Sequence, residues 1–379
     1  MEKSSDLISL ISSNDLKKIC NKEYELIDFT SDKIELFPPY QSVTQLHLTL
    51  RQEGAHEIQK NSTQPLREAF QQFFQHNFKI NLPLKNSTIL QERKRALFTI
   101  AFSLLAKGDS VLCPNPGRED YRQISELVGA KPIQYSLEEK NNWLPDFTEL
   151  RKLLDKNVKL MWLDIPQFPT GAKLNISDWE NLISFTEENK IILVIDNSQS
   201  FILNNNPESI FNYTGNFQHK LELFTLKETF NNAAWQMGVV SGDENLIEKI
   251  GATNKMINDE SFLPLQQASI NALTSDSTSD WIKKQNLQHK NTRKKLQTFL
   301  TEINCKPINE NSSGSFIWAK IESNGKTSIQ FCEELLKKYS IFVMPGNKFG
   351  SAGEGYIWVS LHMNQSKIEE AINRIKNSV

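Results

Sequence analysis

The chain has 379 residues, with 43 Lys and Arg against 45 Asp and Glu, a formal net charge of −2. That balance excludes the strong basic excess that a nucleic-acid or anionic-membrane partner would call for. No apolar run approaches the roughly 20 residues that span a bilayer, and Met1 to Leu10 lacks a basic stretch followed by an apolar core, so a cytoplasmic location is expected.

Taken in chain order, Leu7, Leu10, Ile11, Leu16 and Ile19 fall at helical spacing and predict a helix over 6–22. Pro38-Pro39 marks a turn-rich piece. Residues 66–74 predict a strongly periodic helix, and 89–106 another, with Ala96, Leu97, Ile100 and Leu104 on one face. Short apolar runs then alternate with amphipathic helices. Strands are expected at 110–113, 159–163 and 191–195, and helices at 121–128 and 176–189. That alternation argues for βαβ units and a mostly parallel sheet. Beyond Pro264 the pattern changes to a long helical region at 266–303, a strand at 315–321, a helix at 328–339, a strand at 356–361 and a final helix at 367–376, with a polar loop at 274–280. A chain of this length exceeds one small core. The expected division is a large α/β domain over 43–265 and a small α+β domain made of 1–42 with 266–379.

Several short motifs sit on these elements: Leu66-Arg67-Glu68-Ala69; Gly108-Asp109-Ser110-Val111-Leu112 running into Pro114-Asn115-Pro116-Gly117 and Tyr121; Pro169-Thr170-Gly171; Ile195-Asp196 closing a strand; and Phe349-Gly350 with Gly353-Glu354-Gly355-Tyr356. In this order they resemble the LREA, GDxVLxPxPGYxxY, NPTG, strand-ending aspartate and FGxxGEGYxR landmarks of the class I/II aminotransferases, the fold type I pyridoxal 5′-phosphate (PLP) transferases. The resemblance covers nearly the whole chain. It implies a large doubly wound α/β domain with a mostly parallel sheet, a small α+β domain, PLP as cofactor, and a homodimer with the pocket built at the subunit interface.

The same resemblance exposes departures. The stretch from Phe224 to Gly238 is similar to the family segment S-L-S-K-T-F-x-x-x-G-W-R-x-G, but Glu228 stands where the family has the lysine that bonds PLP covalently. Glu92-Arg93-Lys94-Arg95 replaces the small glycine-containing turn that binds the phosphate through backbone amides. Gln236 replaces a phosphate-binding arginine, Phe168 the asparagine before PTG, Gln199 the tyrosine after the aspartate, and Arg118 the aromatic that stacks on the ring. Trp358 stands where the family's arginine grips the substrate carboxylate as a bidentate fork. The glycine beside the substrate is lost within 30–33. Asp196 and Thr225 are retained.

The leading expectation is therefore an aminotransferase-like protein that no longer transaminates, with PLP not covalently bound, serving as a binding, regulatory or partner subunit. One alternative is a PLP-independent enzyme using Glu228 and Asp196 as acid and base on a small anionic or amino-acid-like ligand held by Arg93, Arg95 or Arg118. The other is an active PLP-dependent aminotransferase using Lys227, although adjacent side chains on an extended or tightly turning segment point in different directions. Phe168 and Trp358 are expected to fill volume vacated by cofactor and substrate. Bland readings accompany the charged candidates: a carboxylate at 228 paired with Lys227, Arg93 or Arg118, Asp196 capping a turn, and the basic run at 93–95 as a solvated helix face. The scattered Cys20, Cys113, Cys305 and Cys332 suggest reduced thiols. His47, His56, His76, His219, His289 and His362 lack ligand-like spacing, so no metal is expected.

Overall fold

The computed structural model describes residues 16–377, apart from 18, 32–35, 58–62, 259–260, 310–311 and 323–324. The helix expected at 6–22 and the segment at 30–33 lie largely outside the described residues. Strands in chain order are β1 (Ile27–Asp28), β2 (Ser87–Leu90), β3 (Ser110–Asn115), β4 (Lys131–Ser136), β5 (Val158–Asp164), β6 (Ile192–Asp196), β7 (Lys220–Thr225), β8 (Gly238–Gly242), β9 (Cys305–Pro307), β10 (Phe316–Ile321), β11 (Ile341–Phe342), β12 (Met344–Pro345) and β13 (Tyr356–Ser360).

Among the described residues, seven strands form the main sheet in the order β2-β8-β7-β6-β5-β3-β4. All neighbours are parallel except β8, which runs antiparallel to both β7 and β2. This is the mostly parallel sheet expected from the alternating pattern. Its central strands read as unbroken apolar runs because helices cover both faces. In β5, Leu160 and Trp162 pack into the core on one face while Met161 and Leu163 join the core on the other, the period of two that a strand imposes.

The helix Gln64–Phe78 buries Leu66, Ala69, Phe70, Phe73 and Phe74, the i, i+3, i+4 stripe of an amphipathic helix. Its aromatic rows meet Phe201 and Phe224 beneath the sheet, with Phe73 and Phe201 ring centres 5.1 Å apart. The smaller sheet has the order β12-β13-β10-β9 and is antiparallel throughout. Together with helices Thr278–Glu302, Ser328–Tyr339 and Gln365–Lys376 it encloses a separate core containing Phe299, Leu300, Ile317, Leu336, Ile357 and Val359.

Two expectations are corrected. Residues 89–90 belong to β2, and the helix begins only at Arg93. Glu92 turns the chain there with φ 51°, and its carboxylate accepts the backbone N–H of Lys94 as an N-cap. The long region at 266–303 is two helices, Leu263–Thr274 and Thr278–Glu302. The Ser275 hydroxyl accepts the N–H of Ser277, a local bond that competes with the helical ladder and shortens the expected polar loop.

The glycine-rich C-terminal motif docks onto the end of β3. Gly117 N–H donates to the Phe349 carbonyl at 2.8 Å. The Asn115 side chain donates to Ser351 Oγ at 2.9 Å and accepts from Ala352 N–H at 3.0 Å. Gly350, at φ 125°, lies so close that a Cβ there would stand 2.2 Å from Asn115 Oδ1. The two motifs thus meet across 230-odd residues because only a residue without a side chain fits between them.

Candidate active site

At the carboxyl ends of the parallel strands, where α/β sheets hold ligands, lies a cavity of about 240 Å³. β7 delivers Thr225 to its floor, and the chain then enters the short helix Leu226–Phe230. Successive residues on a helix are displaced around its axis by only a fraction of a turn. Lys227 and Glu228 both line the cavity as a result. Lys227 Nζ is 3.8 Å from Glu228 Oε1, and Glu228 Oε2 accepts from Ser315 Oγ at 3.4 Å. The expectation that neighbouring side chains diverge here is corrected by this helical turn, and the pairing of Glu228 is with Lys227 rather than Arg93 or Arg118.

Asp196 ends β6 behind the cavity. Its Oδ1 accepts the N–H of Ser198 at 3.1 Å, while Oδ2 is buried without a hydrogen-bond partner. Ser198 Oγ accepts the N–H of Thr225 at 3.1 Å, which ties β6 to β7. Gln199 exchanges two bonds with Ser315, donating through Nε2 to Oγ at 3.2 Å and accepting the backbone N–H at 3.0 Å.

Arg118 is half-buried and donates through Nε to Asp164 Oδ1 at 2.5 Å, while Tyr121 Oη donates to Asp164 Oδ2 at 3.0 Å. The guanidinium carbon lies 4.0 Å from the centre of the Phe168 ring, a cation–π contact. Burial alone would discharge Arg118, but the carboxylates of Asp164 and Asp196 outweigh it and hold the guanidinium charged. Phe168 continues into an aromatic wall, with Phe316 at 5.2 Å, Phe349 at 5.3 Å and Trp358 at 6.1 Å between ring centres.

Arg93 also lines the cavity but is spent on Asp120. Burial pushes that carboxyl upward, and Arg93 brings it below the ordinary carboxylate range. Arg95 lies outside the lining, exposed and bonded to Gln91. Of the basic cup expected of Arg93, Lys94, Arg95 and Arg118, the structure brings Arg93, Lys94 and Arg118 to the cavity, Arg93 and Arg118 in ion pairs, and leaves Arg95 outside it. Gln236 is likewise exposed and outside the lining, and its carbonyl accepts the N–H of Glu92 at 3.0 Å. Phe168 and Trp358 narrow the cavity without closing it.

Lining residues that the motifs did not point to are Ser198, Ser315, Phe316, Ser360 and His362. Ser315 lies just before β10, Ser360 at the end of β13 and His362 two residues beyond it, all far along the chain, and nothing at their own positions in the sequence marks them. No group of three or more His, Cys, Asp or Glu among the described residues could hold a metal ion.

The model of the family described as aminotransferase class I and II matches residues 26–375. The chain belongs to this family. Among similar proteins, LL-diaminopimelate aminotransferase of Halothermothrix orenii is 32% identical over 316 residues, covering 82% of this chain and 80% of that one. The L-glutamine--4-(methylsulfanyl)-2-oxobutanoate aminotransferase of Bacillus subtilis is 30% identical over 313 residues, covering 82% of this chain and 78% of that one. Among solved structures, substrate-bound BacF from Bacillus subtilis superposes with a TM-score of 0.88 at 25% identity, covering 96% of this chain and 92% of that chain.

These relatives overturn the leading expectation. A subunit that has abandoned transamination does not fit an aminotransferase-family chain whose relatives, matched over about four fifths of its length, carry aminotransferase names. The substitution at 228 that motivated it stands beside an amine that reaches the same cavity. The family implies PLP, and this site can be tested for it. The orphaned, buried Asp196 Oδ2 suits a protonated ring nitrogen, Thr225 lies on the floor, and Lys227 supplies the amine. The phosphate end differs from the family pattern. The Glu92 carboxylate occupies the N–H of Lys94, so side chains rather than that helix amide must meet an anion there.

Proposed function

We propose that this protein is a PLP-dependent aminotransferase in which Lys227 takes the place of the family's lysine. The observation that carries the reading is Lys227 lining the same cavity as Glu228, with its amine 3.8 Å from the Glu228 carboxylate. PLP, when bound, supplies the electron sink that stabilises negative charge on the carbon next to a transferred amine. Asp196 would hold the ring nitrogen, Thr225 and Lys94 the phosphate, and Arg118 with Phe168 one side of the ring. An amine sheds a proton before it attacks a carbonyl, and Glu228 is the carboxylate placed to take it. Gln199 and Ser315 orient Glu228 through their shared bonds.

The donor on this reading is a primary amine of amino-acid type, the class that the relatives' names indicate, with its side chain against Phe316 and Trp358. The proposal includes a cytoplasmic homodimer. Phe37 and Tyr40, 85% and 83% exposed, are apolar surface of the kind that a second subunit covers. The division into 43–265 and into 1–42 with 266–379 is part of the same proposal.

The test is to incubate the full chain with PLP, reduce with borohydride and map the modified peptide, alongside transamination assays on a panel of amino acids. The adduct is expected on Lys227, and Lys227→Ala is expected to lose both adduct and activity. An adduct elsewhere with activity intact in Lys227→Ala, or no adduct in the wild type, would sink the proposal.

A further inference from the structure

A second, larger recess of about 820 Å³ shares no lining residue with the catalytic cavity. One wall is a face of the helix Thr278–Glu302. Asn286, Lys290, Arg293, Lys294 and Gln297 recur at the i+3 and i+4 spacings that place side chains on one stripe. The other wall is Lys173 with the loop Leu203 to Asn206.

The recess is built rather than incidental. Asn286 clamps the loop to the helix, accepting the N–H of Leu203 at 2.8 Å and donating to the Phe201 carbonyl at 2.8 Å. Arg293 forms its inner end, 8% exposed, and donates to the Ser312 carbonyl at 2.6 Å. Its Nε is buried without a hydrogen-bond partner. Among the described residues, Lys173, Lys290, Arg293 and Lys294 enter no ion pair, whereas Lys295 on the same helix pairs with Glu369. Glu208 is the one acid in the lining, and it faces the Tyr213 hydroxyl.

A charged stripe on a helix is usually a solvated face. This one differs in three ways: it is opposed by a further cation across a groove, it carries no interspersed acid, and it ends on a buried guanidinium. Like charges gathered without counter-charge repel one another, and a multivalent anion relieves that repulsion. Ammonium groups act on phosphate as point charges, and the amides of Asn204, Asn205 and Gln297 add neutral donors. The volume falls in the range of small-molecule sites.

We infer that this groove binds a small molecule bearing two or more phosphates, at a site separate from the catalytic cavity. Titration calorimetry on the full chain with ATP and with inorganic tripolyphosphate separates a nucleoside polyphosphate from the bare anion. The wild type is expected to bind at least one probe with one site per chain, more weakly as salt rises. Lys290→Ala with Lys294→Ala should weaken binding tenfold or more without moving the thermal midpoint. Should that pair destabilise the chain, Lys173→Ala on the opposite wall should weaken binding at least threefold. Binding of neither probe, or equal affinity in the wild type and these variants, would overturn the inference.

Discussion

Replacing Glu222 with glutamine should alter how stability depends on pH. Glu222 lies on β7, 1% exposed. Its Oε2 accepts the N–H of Ile210 at 3.0 Å, and Oε1 is buried with no partner. Burial pushes its carboxyl up to about 7, against about 4.3 in an unfolded chain. A carboxyl raised on folding binds its proton more tightly in the native state. Stability is therefore full below the unfolded value and falls as pH rises toward the folded one. With about 1.4 kcal/mol per pH unit between the two values, the loss is on the order of 3 kcal/mol once both states are ionised. Glutamine keeps the shape and one acceptor but cannot ionise. Urea unfolding of both proteins at pH 5 and pH 8 isolates the effect, because every other titrating group is common to the pair. Glu222→Gln should equal the wild type within about 1 kcal/mol at pH 5 and exceed it by about 2–4 kcal/mol at pH 8. Parallel stability profiles, with no gap opening between the two pH values, would refute the reasoning.

Asp164→Ala removes the carboxylate bonded to Arg118 and leaves Asp196 as its remaining charge partner, which should cost about 3 kcal/mol in chemical unfolding, the low end for a broken buried pair; a loss under about 1 kcal/mol would mean that Asp196 or water replaces the pairing. Gly350→Ala introduces a Cβ into the Asn115 side chain at φ 125°, and the strain should lower stability by about 1–3 kcal/mol, read as a fall in thermal midpoint that Gly350→Ala with Asn115→Gly partly restores. In the proposed homodimer, Tyr40→Arg places a charge on the exposed apolar surface beside Phe37, and light scattering should show a fall in mass toward the monomer; an unchanged mass would refute a subunit contact at Tyr40.

Much of this architecture could be read from local pattern. The runs that became β5 and β6 are apolar on both faces, and only a covered parallel sheet tolerates that. The proline and glycine landmarks mark turns whose backbone needs are local, so they stay legible when the chemistry around them drifts. What was hidden depended on contacts across the chain. Residues 89–90 continue an apolar pattern into a helix, and only the turn at Glu92 separates strand from helix. Arg118 reads as a free cation until Asp164, 46 residues later, is seen against it. That both Lys227 and Glu228 face the cavity hangs on one helical turn after Thr225, and residue spacing alone does not report the direction in which a side chain leaves the backbone. Ser315, Ser360 and His362 carry no mark at all, since their relevance comes from the fold bringing them to the same cavity as Thr225.

The docking of Gly350 on Asn115 has a consequence for synthesis. Chains emerge from the N-terminus and domains fold largely as units in that order. A ribosome that has released residues through 300 has delivered Asp196, Thr225, Lys227 and Glu228, yet the wall of Ser315, Phe316, Trp358 and Ser360 does not exist. Until the last few dozen residues follow, the amine stands in open water at the rim of an unroofed sheet. Its enclosure comes late in synthesis, so any chain cut short before residue 350 lacks Trp358, Ser360 and His362 of the cavity wall however well its large sheet has folded.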